Sequence, residues 1–274
     1  MTKVAAIQMA SGPNVNANLI EAERLMAMAA DAGAKLVVLP ENFAIMGMSE
    51  EDKVQMREPD GHGPIQEFLA EQAAKKGFWL VAGTIPLEAK DDNKVRAACL
   101  LFNDKGQRVA RYDKVHLFDV HLAEEDENYH ESASTEPGDQ VVVVDTPFGR
   151  LGLAVCYDLR FPELFRQMAD QGVEIIAIPS AFTAITGGAH WEILARARAV
   201  ENLCYVLAAA QGGYHVNGRE TYGDSMIVDP WGTILDRLPR GSGFVLAEVK
   251  SSFIESTRRN FPVLQHRKMQ CSTV

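Results

Sequence analysis

A chain of 274 residues that is 47% hydrophobic and 23% charged has an ordinary globular composition, long enough for one large α/β domain or two smaller ones. Its net charge of −10 at pH 7 excludes nucleic acid and anionic membranes as main partners, because both demand a basic face, and any small anionic ligand would need local positive charge. No run approaches the ~20 apolar residues of a membrane span, and MTKVAAIQMASG is too short and polar for a signal peptide, so the chain reads as cytoplasmic.

In chain order, KVAAIQMA is predicted as a strand, and NLIEAERLMAMAADAGA as a helix with Leu19, Ile20, Leu25, Met28 and Ala29 on one apolar side. KLVVLP reads as a short buried strand. PIQEFLAEQAAKKG is an amphipathic helix with Ile65, Phe68, Leu69 and Ala73 in phase, and FWLVAGTIP follows as a strand. In KVRAACLLFNDKGQRVARYDK, two strands meet at an Asn-Asp-Lys-Gly turn. The strand–helix rhythm resumes through VVVVDTPFGRLGLAV, PELFRQMADQG, VEIIAIPSAF, GAHWEILARARAVENLC and YVLAAAQGG, and DSMIVDPWGTILDRL closes as a hairpin. No linker or change of composition divides the chain, so a single domain over residues 1–274 is expected. Its mixture of βα units and hairpins points to a mixed sheet, or two sheets face to face, rather than a purely parallel one.

Ligands of α/β folds bind just beyond the carboxyl ends of strands. Three reactive residues stand at such places: Glu41 after KLVVLP, Lys114 in RYDKVHLFD, and Cys156 after LGLAV. Taken singly, Glu41 could cap a helix, Lys114 could be solvated, and Cys156 could be a small core residue. Together they make an acyl-transfer set without histidine. A thiol needs a base or a nearby positive charge to become a nucleophile. Glu41 supplies the base, while Lys114 and the backbone N–H of Tyr157 would stabilise charge on an attacked carbonyl oxygen. A Cys–His pair using His190 is the competing arrangement. The four cysteines are scattered without a Cys-x-x-Cys pair, and no compact spacing of His116, His121, His130 and the acidic run AEEDE supports zinc, so neither metal nor cofactor is expected.

LPEN around Glu41, DKVHLFD around Lys114 and CYDLRFPE around Cys156 resemble the three signature segments of the nitrilase superfamily of carbon–nitrogen hydrolases. The likeness runs from AAIQM to FPVLQHR. It implies an α/β fold, a four-layer α-β-β-α sandwich, assembled as a homodimer or higher homo-oligomer. It also implies a Glu–Lys–Cys triad that hydrolyses amides through a thioester, and a second glutamate, here Glu131 in YHESAST, that positions substrate and water. HLFDV, PSAFTAITGGAHWEILARARAVEN and YGDSMIVDPWGT resemble the branch that cleaves deaminated glutathione to 2-oxoglutarate and cysteinylglycine. The branch acting on 2-oxoglutaramate and 2-oxosuccinamate shares much of this text.

Around that set, Phe182 and Thr183 in the loop SAFTAITGGAH are expected to contact substrate. Arg160 could bind a substrate carboxylate or pair with Asp158 and Glu163. Arg196, Arg198, Cys99, Cys204 and Cys271 are assigned to structure. The loop HLAEEDENYH departs from the resemblance by its acidity, and an acidic rim would repel a dicarboxylate unless its charges point outward. A silent nitrilase-fold module acting through protein contacts is the alternative from a different class.

Overall fold

A computed structural model describes residues 1–122 and 127–269; Cys271 and residues 123–126, the centre of the acidic loop, lie outside them. Strand β1 (Thr2–Gln8) leads through helix α1 (Val15–Asp31) to β2 (Leu36–Val38), and then through α2 (Glu51–Gln55) and α3 (Pro64–Lys76) to β3 (Trp79–Val81). These three strands are parallel. Strands β4 (Ile85–Glu88), β5 (Val95–Phe102) and β6 (Arg108–Asp113) extend the same sheet antiparallel. A separate hairpin, β7 (Asp119–Leu122) and β8 (Glu127–His130), follows.

The second sheet begins with the hairpin β9 (Val142–Thr146) and β10 (Gly149–Leu153). It continues through α4 (Pro162–Asp170), β11 (Ile175–Ser180), α5 (Ala184–Asn202) and β12 (Tyr205–Ala210), with β10, β11 and β12 parallel. After a short hairpin, β13 (Gly212–Tyr214) and β14 (Glu220–Tyr222), the strands β15 (Ser225–Val228) and β16 (Ile234–Leu238) complete it. Strand β17 (Gly243–Val249) then returns to the first sheet and pairs with β1 along its whole length, before α6 (Ser251–Asn260).

The two sheets face each other, and the alternation of side chains along each strand explains why. On β1, Val4 and Ala6 join Val38, Leu153, Ile176 and Val206 between the sheets. Ala5 and Ile7 point the other way, into a cluster with Leu25 and Met26 of α1 and Ile65 and Leu69 of α3. Helices α4 and α5 cover the far side of the second sheet through Phe165, Trp191 and Ala195. The result is a four-layer α-β-β-α sandwich. Central strands buried on both faces must be apolar throughout, which is why LVV, IIAIPS and YVLAAA show no polar alternation. No helix among the described residues is long and apolar enough to cross a membrane.

Three differences from the sequence-based expectations have physical causes. The buried stripe of α1 is Asn18, Ala22, Leu25, Met26 and Ala29, while Ile20 and Met28 are 69% and 44% exposed. Asn18 displaces the apolar phase because its side chain donates to the Ala44 and Gly12 carbonyls and accepts from the Gly12 N–H. FWLVAGTIP is two strands rather than one, broken at Gly83 with φ +57°. Helix α5 starts at Ala184, so Gly187, Gly188 and His190 lie inside it rather than before it. Gly187 is there because Tyr222 packs so close that a Cβ would lie 2.2 Å from its own Cβ.

Candidate active site

Glu41 follows β2 in a turn pinned from three sides. The Leu39 N–H donates to the Val81 carbonyl, and the Asn42 N–H to Thr84 Oγ1 at 2.8 Å. Buried Gln211, after β12 in the opposite sheet, donates from Nε2 to the Glu41 carbonyl at 3.0 Å and accepts from the Ser11 N–H. Gly83 supplies the space: a Cβ there would stand 2.1 Å from the Pro40 carbonyl oxygen.

Lys114 directly follows β6, its N–H donating to the Ala97 carbonyl and its own carbonyl accepting from the Gly138 N–H. Cys156 follows β10 at the start of a 3₁₀ turn, Cys156–Arg160, with φ +46°. Left-handed backbone at a non-glycine residue costs about 1–2 kcal/mol and persists only where its surroundings over-determine it. Fully buried Asp158 does so here. It accepts from the Val155 N–H at 2.8 Å, the Tyr112 hydroxyl at 2.6 Å and the His116 N–H at 3.1 Å. His116 Nδ1 lies 2.7 Å from it, and the His116 ring stacks on Phe161 at 3.7 Å. Asp158 thus ties the segment after Lys114 to the turn that carries Cys156. Glu131 opens a short 3₁₀ turn, Glu131–Ala133, and accepts from the Phe118 N–H at 2.6 Å.

These four side chains, remote in sequence, meet. Lys114 Nζ donates to Glu41 Oε1 at 2.8 Å and to both Glu131 oxygens at 2.8 and 2.9 Å, and the Cys156 thiol lies near enough to Glu41 and Lys114 to feel the charge of each. Glu41, Lys114 and Cys156 are only 4%, 2% and 8% exposed. Burial pushes the Glu41 carboxyl up, but the Lys114 ammonium outweighs it and holds the group below the usual carboxylate range. Burial would lower Lys114, yet Glu131 and Glu41 together carry it well above its ordinary value. Burial and then the Glu41 charge push the Cys156 thiol well up, against the pull of Lys114. The resting arrangement is therefore a neutral thiol beside an ionised carboxylate, with an ammonium shared between two carboxylates. It can transfer a proton from Cys156 to Glu41 as the sulfur attacks, leaving Lys114 to hold a developing oxyanion.

The site opens into a cavity whose lining includes Glu41, Lys114, Glu131 and Cys156. Tyr157, Phe182 and Thr183 all line it. The Tyr157 ring packs edge-on against Phe118 and Phe161 at 5.0 and 5.2 Å, Phe182 lies against Trp191, and Thr183 caps α5 by accepting from the Thr186 N–H. Ala181 directs its N–H at Cys156 Sγ, 3.5 Å away. Arg160 lines the cavity too, and among the described residues it has no carboxylate within 4.0 Å; it sits over the Phe182 and Tyr157 rings and 3.1 Å from His190 Nδ1. The pairing of Arg160 with Asp158 or Glu163 is thus corrected. His190 is exposed and does not line the cavity, which removes the Cys–His arrangement. His116 is engaged by Asp158, and His121 by Asn128 at 2.6 Å.

Four residues escaped sequence reasoning. Gln211 carries no chemistry of its own, and Glu50, Lys53 and Arg219 belong to segments without a motif. Glu50 and Lys53 pair at 3.0 Å on the cavity wall, and their i, i+3 spacing was the only signal. Arg219, from the β13–β14 loop, had none. With Arg160 and Lys53 it gives the cavity the local cations that a protein of net charge −10 needs for an anionic ligand.

A family model described as carbon–nitrogen hydrolase matches residues 3–259. The deaminated glutathione amidase of Yersinia enterocolitica is 41% identical over 272 residues, covering 99% of this chain and 94% of that protein. The deaminated glutathione amidase of Homo sapiens is 43% identical over 269 residues, 97% of this chain and 82% of that protein. Among solved structures, Saccharomyces cerevisiae Nit3, described as a member of branch 10 of the nitrilase superfamily, superposes with a TM-score of 0.87. It is 34% identical and covers 98% of this chain and 97% of its own.

Proposed function

The chain belongs to the carbon–nitrogen hydrolase family, which makes it an amide hydrolase, and from that premise we propose that it cleaves deaminated glutathione to 2-oxoglutarate and cysteinylglycine through a thioester on Cys156. The observation that carries this reading is the Lys114 ammonium held between Glu41 and Glu131, with the Cys156 thiol beside them in the lining of one cavity that also holds Arg160 and Arg219. Glu41 takes the thiol proton as Sγ bonds to the amide carbonyl carbon. Lys114 and the Tyr157 N–H hold the oxyanion. Collapse breaks the carbon–nitrogen bond, and Glu41 returns the proton to the departing amine. A water oriented by Glu131 then gives a proton to Glu41 and attacks the thioester; collapse releases 2-oxoglutarate and restores the thiol. Arg160, unpaired with any carboxylate among the described residues, suits the carboxylate of the 2-oxo-acid half.

The test is intact-protein mass spectrometry during turnover of deaminated glutathione, 2-oxoglutaramate, glutamine and a simple nitrile. The expected result is a transient 2-oxoglutaryl adduct on Cys156 that is absent in Cys156→Ala, which stays folded with turnover abolished. Near-normal activity in Cys156→Ala sinks the mechanism, turnover of 2-oxoglutaramate alone shifts the substrate to the ω-amide, and turnover of the nitrile alone overturns amide chemistry. No adduct and no amine release across the panel would favour a silent module.

Unpaired Cys99, Cys156 and Cys204 suit a reducing cytoplasm. Helix α5 exposes Ile193 and Val200, Val200 lies against Gly232, and the neighbouring exposed Trp231 packs edge-on with Phe261 at 5.5 Å; such apolar exposure supports self-association.

A further inference from the structure

Arg219 is a cavity cation that the mechanism leaves unused. It leaves a tight loop whose geometry is set locally: the His215 N–H donates to the Arg219 carbonyl, the Arg219 N–H to Asn217 Oδ1 at 3.0 Å, and Gly218 turns with φ +85°. The His215 ring anchors this loop between the Ser11 carbonyl at 2.8 Å and Thr221 Oγ1 at 2.7 Å. The guanidinium therefore reaches the cavity from a rigid base. Nη2 donates to the Ala181 carbonyl at 2.9 Å, and the group lies over the Tyr129 ring at 5.1 Å. Its Nε, however, is buried without a hydrogen-bond partner among the described residues. Among the described residues no carboxylate lies within salt-bridge distance of it, whereas Lys53 is taken up by Glu50. A buried N–H of a cation left without an acceptor is costly, and a carboxylate entering the cavity removes that cost.

The side of the cavity on which Arg219 stands decides which carboxylate. Arg160 sits over Phe182 and beside His190, whereas Arg219 holds the carbonyl of Ala181, the preceding residue. Burial raises the Glu41 carboxyl, and Arg219 is near enough to lower it beside the larger effect of Lys114, as it lowers Glu50 beside the larger effect of Lys53. Glu41 is the group that returns the proton to the departing amine, so the amine half of the substrate must lie on the Glu41 side. We propose that Arg219 binds a carboxylate carried by the leaving amine and so selects amides whose amine half ends in an anion over those that release ammonia. This deepens the proposed function and rests on it.

Deaminated glutathione and 2-oxoglutaramate form the same 2-oxoglutaryl thioester and differ only in their leaving group, cysteinylglycine or ammonia. Their ratio of kcat/KM therefore isolates contacts to the amine half. In Arg219→Gln that ratio falls about ten- to hundredfold, the size of a lost charge-assisted hydrogen bond, and Arg219→Lys recovers part of it. The wild-type protein gives an independent reading: deaminated glutathione with its glycine carboxylate converted to the primary amide loses a similar factor, and Arg219→Gln discriminates little between acid and amide. If the wild type turns over both substrates and Arg219→Gln lowers kcat/KM equally for both, Arg219 only supports the loop and the proposal is wrong. Equal wild-type turnover of the acid and its amide also overturns it. Absence of wild-type turnover of deaminated glutathione overturns the substrate reading and this proposal together, so the two failures are distinct.

Discussion

Burial governs the chemistry available to each residue of the site. A thiol in water is partly ionised near neutrality, but Cys156 is shielded from solvent and faces the Glu41 carboxylate, so the thiolate is disfavoured until a substrate arrives. This predicts an effect of Glu41→Gln that simple loss of a base does not. The substitution removes the second-largest cause raising the thiol, after burial, and leaves Lys114 in place. The inflection of Cys156 alkylation by iodoacetamide against pH should move down relative to wild type, even as turnover is lost. An inflection that stays put or moves up would mean that the Glu41 charge does not control the thiol.

At the scale of the element, the site is an assembly of strand ends, and the turns beyond them carry the cost. Pro40, Glu41 and Asn42 fit only because β3 and β4 part at Gly83, whose φ of +57° and missing Cβ admit the Pro40 carbonyl. Gly83→Ala adds both left-handed strain and overlap with backbone, so we expect a loss of more than about 2 kcal/mol in stability. Turnover should fall beyond the loss of folded protein, because Glu41 is the residue displaced. An unchanged denaturation midpoint by circular dichroism would contradict this. The β7–β8 hairpin shows a related point: HLAEEDENYH is not wholly loop, since His121 pairs with Asn128 in a ladder that brings Asn128, Tyr129 and His130 to the cavity wall.

Over the whole molecule, packing between two sheets and two helical layers places several ionisable groups where water cannot reach them. Burial raises Cys99, Cys156 and Cys204 above the ordinary thiol value of 9.0, Cys204 to about 12, and raises Tyr112 as well. An acid whose proton is held more tightly in the folded state stabilises below its unfolded pKa and loses that contribution as pH rises past it. The thermal midpoint should therefore fall as pH climbs above about 9, each buried thiol removing about 1.4 kcal/mol per pH unit. A midpoint that is flat from about pH 8 to about 10 would show that these thiols are not shielded. The exposed apolar face of α5 makes a separate prediction. Ile193 is 70% exposed, and Ile193→Glu should shift sedimentation toward the monomer with the fold retained, whereas a wild-type monomer would remove the assembly proposal.

Much of this was legible in the linear chain, because each signature is local. A strand that runs apolar into a polar turn marks Cys156, and LPEN and DKVHLFD mark the ends of two other strands. The period of the apolar residues was enough for most of the long elements, but not for α2, the short β7–β8 and β13–β14 hairpins, or β17 and α6, where GFVLAEV and SSFIESTRRN follow the last hairpin that the pattern indicated. The face of α1 was misread for the same kind of reason, since Asn18 is buried for hydrogen bonds that only the folded neighbours supply. The sequence by itself determined the kinds of chemical group at strand ends and a strand pattern that is mixed rather than purely parallel, because these follow from residue type and local periodicity. Only the tertiary structure decided that Lys114 lies between two carboxylates, that Cys156 rests as a thiol, and that Arg219, remote from every motif, reaches the same cavity. Proximity across sheets and exclusion of water are properties of the packed molecule, and no local pattern encodes them.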